Sequence, residues 1–179
     1  MEDRLRYVLS NVNEWLKFAE AKNAALLAAN SAVVIGALRL ADGKVFLFPL
    51  AEYYFYFFIA IVSLGGLICL LSFVPKLDIP WLLPTTLSKD KDNLVFYGDI
   101  SGYDPSSYVK ALHHQSGKAV KTVDPFEEDL AEQVIINSRI ALKKYQLFNI
   151  ALWLDVTALL TPLISLSIYL CSRRKGGLG

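Results

Sequence analysis

Residues 53–74 run for 22 positions without a charged side chain, from Tyr53 to Val74. Coiled as a helix at ~1.5 Å per residue, such a run spans the ~30 Å hydrocarbon layer of a bilayer. It opens on Tyr53, Tyr54, Phe55, Tyr56, Phe57 and Phe58, six aromatic residues in succession. Two other stretches follow the same logic. Asn23 to Leu38 holds 16 uncharged residues between Lys22 and Arg39, whose long stems carry their charges to the interface. Tyr145 to Ser172 is broken only by Asp155 and closes on Arg173, Arg174 and Lys175, which is long enough to cross with a tilt. The chain is 54% apolar, above the ~45–50% of soluble domains, and these three stretches hold the excess.

The sequence therefore predicts an all-α membrane protein rather than a soluble enzyme. An amphipathic helix occupies 1–22, spans cross at 23–41, 53–74 and 145–172, a polar module with a long helix fills 75–144, and a basic tail ends the chain at 173–179. A secretory signal would place its apolar core nearer the start, so no cleavage is expected. Cys69 and Cys171 both fall within spans, where they pack as small hydrophobes. Of the 18 Lys and Arg residues, 13 lie before the first span or within 75–144, and five lie in the first loop or the tail. The positive-inside rule then places the N-terminus and the 75–144 module in the cytoplasm, although the tail cluster pulls the other way.

Leu5, Val8, Leu9, Val12, Trp15, Leu16 and Ala19 share one face of the first helix. No Pro or Gly separates that helix from the first span, so the two should form one rod. A second rod starts at Asp124, a good N-cap, with Pro125 at the first helical position and Glu127 placed to complete a capping box. No helix breaker follows until Pro162, and Leu130, Val134, Asn137 and Ala141 share a face. The two stripes can pack in parallel, as in a short coiled coil. Between the rods, Pro75, Pro80, Pro84, Gly98, Gly102, Pro105 and Gly117 mark loops and turns. An extended linker is expected at 75–92, a short apolar element at Leu94–Tyr97, a turn at Gly98–Gly102, and a helix capped by Asp104.

Within the spans, Ala24, Ala28, Ala32 and Gly36 recur every four residues, a spacing that lets helix backbones approach closely in lipid. This face predicts a helix contact, either within the chain or between chains of a homo-oligomer. Asn30 and Ser31 can hydrogen-bond across helices. Asp155 is the one charge inside a span: it either faces the protein interior or lies near an interface that begins at Asn149.

No catalytic constellation emerges. His113 and His114 point apart on a helix and are no chelating pair, so no metal and no cofactor are expected. Ser107 and Lys110 match S-x-x-K without the other motifs of those hydrolases, and Gly117-Lys118 lacks the earlier glycine of a phosphate loop. Residues 93–121 do combine Phe96, Tyr97, Tyr103 and Tyr108 with two histidines and Lys110, Lys118 and Lys121. Such a mixture suits stacking a base and neutralising a phosphate, and it equally suits an ordinary folded module.

Lys22-Asn-Ala-Ala-Leu-Leu at the first span, Asn93-Leu-Val-Phe-Tyr-Gly98 after the second, and Asn137-Ser-Arg-Ile-Ala-Leu-Lys143-Lys-Tyr before the third resemble the Pycsar effector protein domain, over about residues 5–170. The resemblance implies a bacterial inner-membrane antiphage effector. A partner pyrimidine cyclase would make cyclic CMP or cyclic UMP, and the effector would respond by impairing the membrane, causing abortive infection. Nucleic acid polymers are not expected partners. Asn93, Phe96, Tyr97 and Gly98, with Lys110 and Lys118, are the candidate ligand-sensing residues. The alternatives are a constitutive membrane scaffold that binds no nucleotide, and a related effector triggered by a cyclic oligonucleotide or a viral component.

Overall fold

The computed structural model describes residues 1–42, 49–74, 92–117 and 122–176, with side chains at 1–41, 52–74, 92–117 and 122–163. Among them are five helices and no strand: α1 (Glu2–Asp42), α2 (Pro49–Leu71), α3 (Tyr97–Ile100), α4 (Pro105–Gln115) and α5 (Pro125–Gly176). The fold is all-α. Three of the helices are long and apolar enough to cross a membrane. In their most apolar windows only 11%, 22% and 22% of residues are buried, so these windows are not the core helices of a soluble domain. The expected linker at 75–92, all but its last residue, lies outside the described residues, as do Lys118, Lys121 and the Cys171 side chain.

The chain divides into two compact units, Met1–Lys22 with Pro75–Gln146, and Asn23–Val74 with Leu147–Gly179. α1 and α5 each contribute to both.

In the first unit, Leu5, Val8 and Val12 of α1 meet Leu130, Ala131, Val134 and Ile135 of α5 in one buried core. Each fully buried aliphatic side chain there contributes about 1.5–3 kcal/mol relative to exposure. Polar pairs fix the register. The Met1 amine lies 3.5 Å from Glu127, Asn137 donates to Asn13 at 2.8 Å, and Lys144 pairs with Glu20 at 3.1 Å. Partner numbers rise together along both helices, so the helices run parallel. Glu127 does not close the expected capping box, because one of its oxygens meets the Met1 amine and the other meets His113 Nε2 at 2.9 Å. Asp124 still caps α5 through the Phe126 N–H.

The module packs on this pair. Asp104 accepts the Ser107 N–H at 2.9 Å and Pro105 opens α4, as the sequence predicts. Tyr108, Val109 and Leu112 of α4 enter the core, and the Tyr108 hydroxyl donates to the Leu94 carbonyl at 2.7 Å. α4 is capped by Ser116, and the next residue, Gly117, has the φ of 73° of the left-handed residue that follows many helices. The expected turn at Gly98–Gly102 begins instead as one helical turn, α3, because Asn93 and Asp99 tie the preceding chain into it.

The second unit inverts the soluble pattern. Asn23, Asn30, Ser72 and Asp155 are buried beside Val62, Cys69, Leu147, Ala151 and Ala158, while Ile35, Leu67, Leu70, Trp153, Leu159 and Leu163 are exposed. Polar groups inside and apolar ones outside suit a lipid surround. α2 starts four residues before the predicted span, with Pro49 at its first position. α5 continues past Pro162, a residue that spanning helices tolerate.

The small-residue face needs correction as an intrachain contact. Ala24, Ala28, Ala32 and Gly36 are all exposed, and a Cβ on Gly36 would meet nothing within 4 Å. Asn23, Asn30 and Ala37 point inward instead. At ~100° per residue the two sets lie on opposite sides of α1, so burying Asn30 turns the alanine face outward.

Candidate functional site

Three distant segments converge in the first unit. Asn93 builds the approach: its Oδ1 accepts the Val95 N–H at 3.0 Å, its own N–H donates to Asp99 at 2.9 Å, and its carbonyl accepts the Phe96 N–H at 2.9 Å. This local Asx turn delivers Phe96 and Tyr97 to α1 and α5. The Tyr97 ring stacks on Tyr145 at 5.2 Å and 17°, and it meets Trp15 edge-on at 5.2 Å. Phe96 also meets Trp15 edge-on, at 5.8 Å, and keeps 39% of its surface exposed. Lys22 Nζ lies 5.5 Å from the Tyr145 ring centroid and 4.7 Å from that of Phe18. The result is an aromatic cluster in which the Phe96 ring stays open, with a cation at its margin beside the exposed Phe18.

Gly98 has a steric role. A Cβ there would sit 2.5 Å from the Phe96 ring, so the glycine lets the ring lie against the backbone. Arg139 holds the other end of the segment, donating from Nε to the Ser101 carbonyl at 2.8 Å and from Nη2 to the Tyr103 carbonyl at 3.0 Å. Tyr103 in turn donates to Asp92 at 2.9 Å, and burial first, then this bond, pushes its phenol up to about 12. Burial followed by the neighbouring Tyr145 raises the Tyr97 phenol. Both rings therefore stay neutral near pH 7 and present π faces and hydroxyls.

Of the residues singled out in the sequence, the structure brings Phe96, Tyr97, Asn93 and Gly98 together. Lys110 is exposed on α4, where its charge acts on Asp104, and no described contact joins it to the rings. Lys118 lies outside the described residues. Trp15, Lys22 and Tyr145 complete the cluster, and sequence reasoning does not single them out as ligand-sensing residues. Trp15 belongs to the packing stripe of α1, while Lys22 and Tyr145 stand at the edges of two of the motif segments, adjacent to span boundaries.

The second unit holds a separate polar centre. Asp155 is 8% exposed, beside Asn30 of α1 and Gly65 of α2, and it faces the unit's interior. A Cβ on Gly65 would lie 2.6 Å from Asp155 Oδ1 and 3.0 Å from Asn30 Nδ2, so the glycine makes room for both groups.

These features define a helical membrane protein with an aromatic-lined folded unit built on two of its long helices. The chain belongs to the Pycsar effector protein domain family, whose profile matches residues 4–171. It is 32% identical over 140 residues to the Pycsar effector protein RsPycTM of a Rhizobium species, an alignment covering 74% of this chain and 75% of that one. No solved structure matches the chain.

Proposed function

We propose that this membrane effector acts in antiphage defence, binding cyclic CMP or cyclic UMP in its first unit and responding by impairing the bacterial inner membrane. The observation that carries the reading is the match to the effector family over nearly the whole chain. The meeting of Lys22, Phe96, Tyr97 and Tyr145 supports the location of the site, because residues from all three motif segments gather there. The pyrimidine stacks on the open face of Phe96 and the cyclic phosphate meets Lys22. The lysines of the module, Lys110 and Lys118, are the competing phosphate partners. α1 and α5 contribute to both units, which gives a ligand a covalent route to the spans. The nucleotide shifts the equilibrium only by the difference in its affinity for the two arrangements.

Titration of the purified full-length protein with cyclic CMP and cyclic UMP tests the site. Base stacking on an aromatic ring contributes about 1–3 kcal/mol, so Phe96→Ala should weaken binding about five- to 150-fold. Lys22→Gln should also weaken it, and Lys110→Gln should not. Binding of neither nucleotide by folded protein would favour a scaffold or a different trigger.

A further inference from the structure

Asp155 is the only acidic residue among the described side chains of α5 in the second unit, and no basic side chain among the described residues is paired with it. Both carboxyl oxygens are buried, and the Asn30 amide is the donor set beside them, close enough to interact though not in full hydrogen-bond geometry. The elements packed around Asp155 present Asn30 from α1 and Gly65 from α2, with Cys69 one turn beyond Gly65 as the titratable neighbour. The other charged side chains described in this unit are Arg39 and Glu52. Arg39 is exposed and stands nine residues beyond Asn30, about 13 Å along the helix.

A buried carboxylate with no cation against it is strongly disfavoured, all the more within lipid. Among the described residues no side chain supplies that positive charge, which leaves a bound cation or a proton. A metal ion fits poorly, since hard cations ask for about six oxygen ligands. No group of three or more His, Cys, Asp or Glu able to hold a metal occurs among the described residues. A proton requires only the carboxyl itself and a polar neighbour. We propose that Asp155 is an intramembrane proton-binding site, its carboxyl held as the neutral acid beside Asn30 in the space that Gly65 leaves open. The carboxylate takes up one proton when the second unit is closed and releases it when water reaches the interior. Opening is then linked to proton release, so rising pH favours the open form by up to about tenfold per pH unit across the interval between the two affinities. This coupling rests on the proposed membrane impairment, whereas the proton site itself does not.

Infrared difference spectroscopy of the full-length protein in liposomes, across a pH series, reads the site directly. At neutral pH the parent should show the C=O stretch of a protonated carboxylic acid, moving to lower frequency in deuterium oxide and missing from Asp155→Asn. Asp155→Glu should restore a carboxylic-acid band at shifted frequency, which guards against an Asn variant that fails to insert. A parent without the band, or a band unchanged in Asp155→Asn, overturns the proposal whatever the protein does to membranes. In a second arm, the cyclic nucleotide needed for half-maximal dye release should fall as pH rises for the parent and be independent of pH for Asp155→Asn. An unchanged pH dependence in the variant overturns the linkage. A band that disappears as expected, with no dye release at any pH, upholds the proton site and counts against the proposed function.

Discussion

Replacing Gly98 by Ala isolates the packing of the Phe96 ring. The new Cβ would fall 2.5 Å from ring atom Cε1 and 3.2 and 3.3 Å from its neighbours, so the ring must move. Phe96 is 39% exposed and can swing outward, but doing so forfeits its contacts with Trp15 at 5.8 Å and Tyr97 at 4.5 Å. Two aromatic pairs at about 0.5–1.5 kcal/mol each amount to about 1–3 kcal/mol. Against this, alanine is favoured over glycine in a helix by about 0.5–1 kcal/mol, and Gly98 lies within α3. The net expectation is a loss of up to about 2.5 kcal/mol. The sign should reverse once Phe96 is already Ala, because helix preference then acts alone. Denaturant unfolding of the four proteins in one detergent, followed by circular dichroism, completes the cycle. Equal destabilisation by Gly98→Ala in both backgrounds would refute the ring as the cause.

Further outcomes follow from other positions. Gly36→Leu should leave the monomer folded, since nothing lies within 4 Å of its Cβ, yet lower the oligomeric state measured by light scattering in detergent if that face joins copies; an unchanged state would assign the face to lipid. Asp104→Ala should cost about 0.5–2 kcal/mol as a lost N-cap. The Ser107 N–H holds the Asp104 carboxyl below its ordinary value, so its contribution is present above the unfolded pKa of about 3.9 and is lost as pH falls through the lower folded value. The stability gap between parent and variant should therefore close only in acid, and a gap that closed above pH 6 would contradict the cap. A cysteine at position 110 should be labelled from the cytoplasmic side, and labelling from the periplasm of intact cells would overturn the orientation.

The long helices were legible because charge-free runs and caps are local signals. Asp104 and Pro105 announced α4, and the apolar stripes of α1 and α5 announced a parallel pair. What the sequence could not reveal was rotation. The alanine face of α1 was equally compatible with an interior or an exterior position, and Asn30, by packing against Asp155, turned it outward. The aromatic cluster was half legible. Phe96 and Tyr97 stood out as an aromatic pair in a polar segment, but Trp15 and Tyr145 lie 82 and 48 residues from Tyr97 and resembled ordinary helix packing. Gly98 and Arg139 were visible only as motif letters until the structure showed a ring lying against the one and carbonyls held by the other. Local chemistry is written in neighbouring residues, whereas these groups meet through tertiary packing.

In the proposed function, a nucleotide bound in the first unit changes the state of the spans. Dye release from liposomes containing the purified protein tests it most directly, with cyclic CMP, cyclic UMP or no nucleotide, for the parent and for Phe96→Ala. Release should depend on one of these nucleotides and shift to higher nucleotide concentration in the variant. Release that is the same without nucleotide, or no release when nucleotide is demonstrably bound, would contradict it.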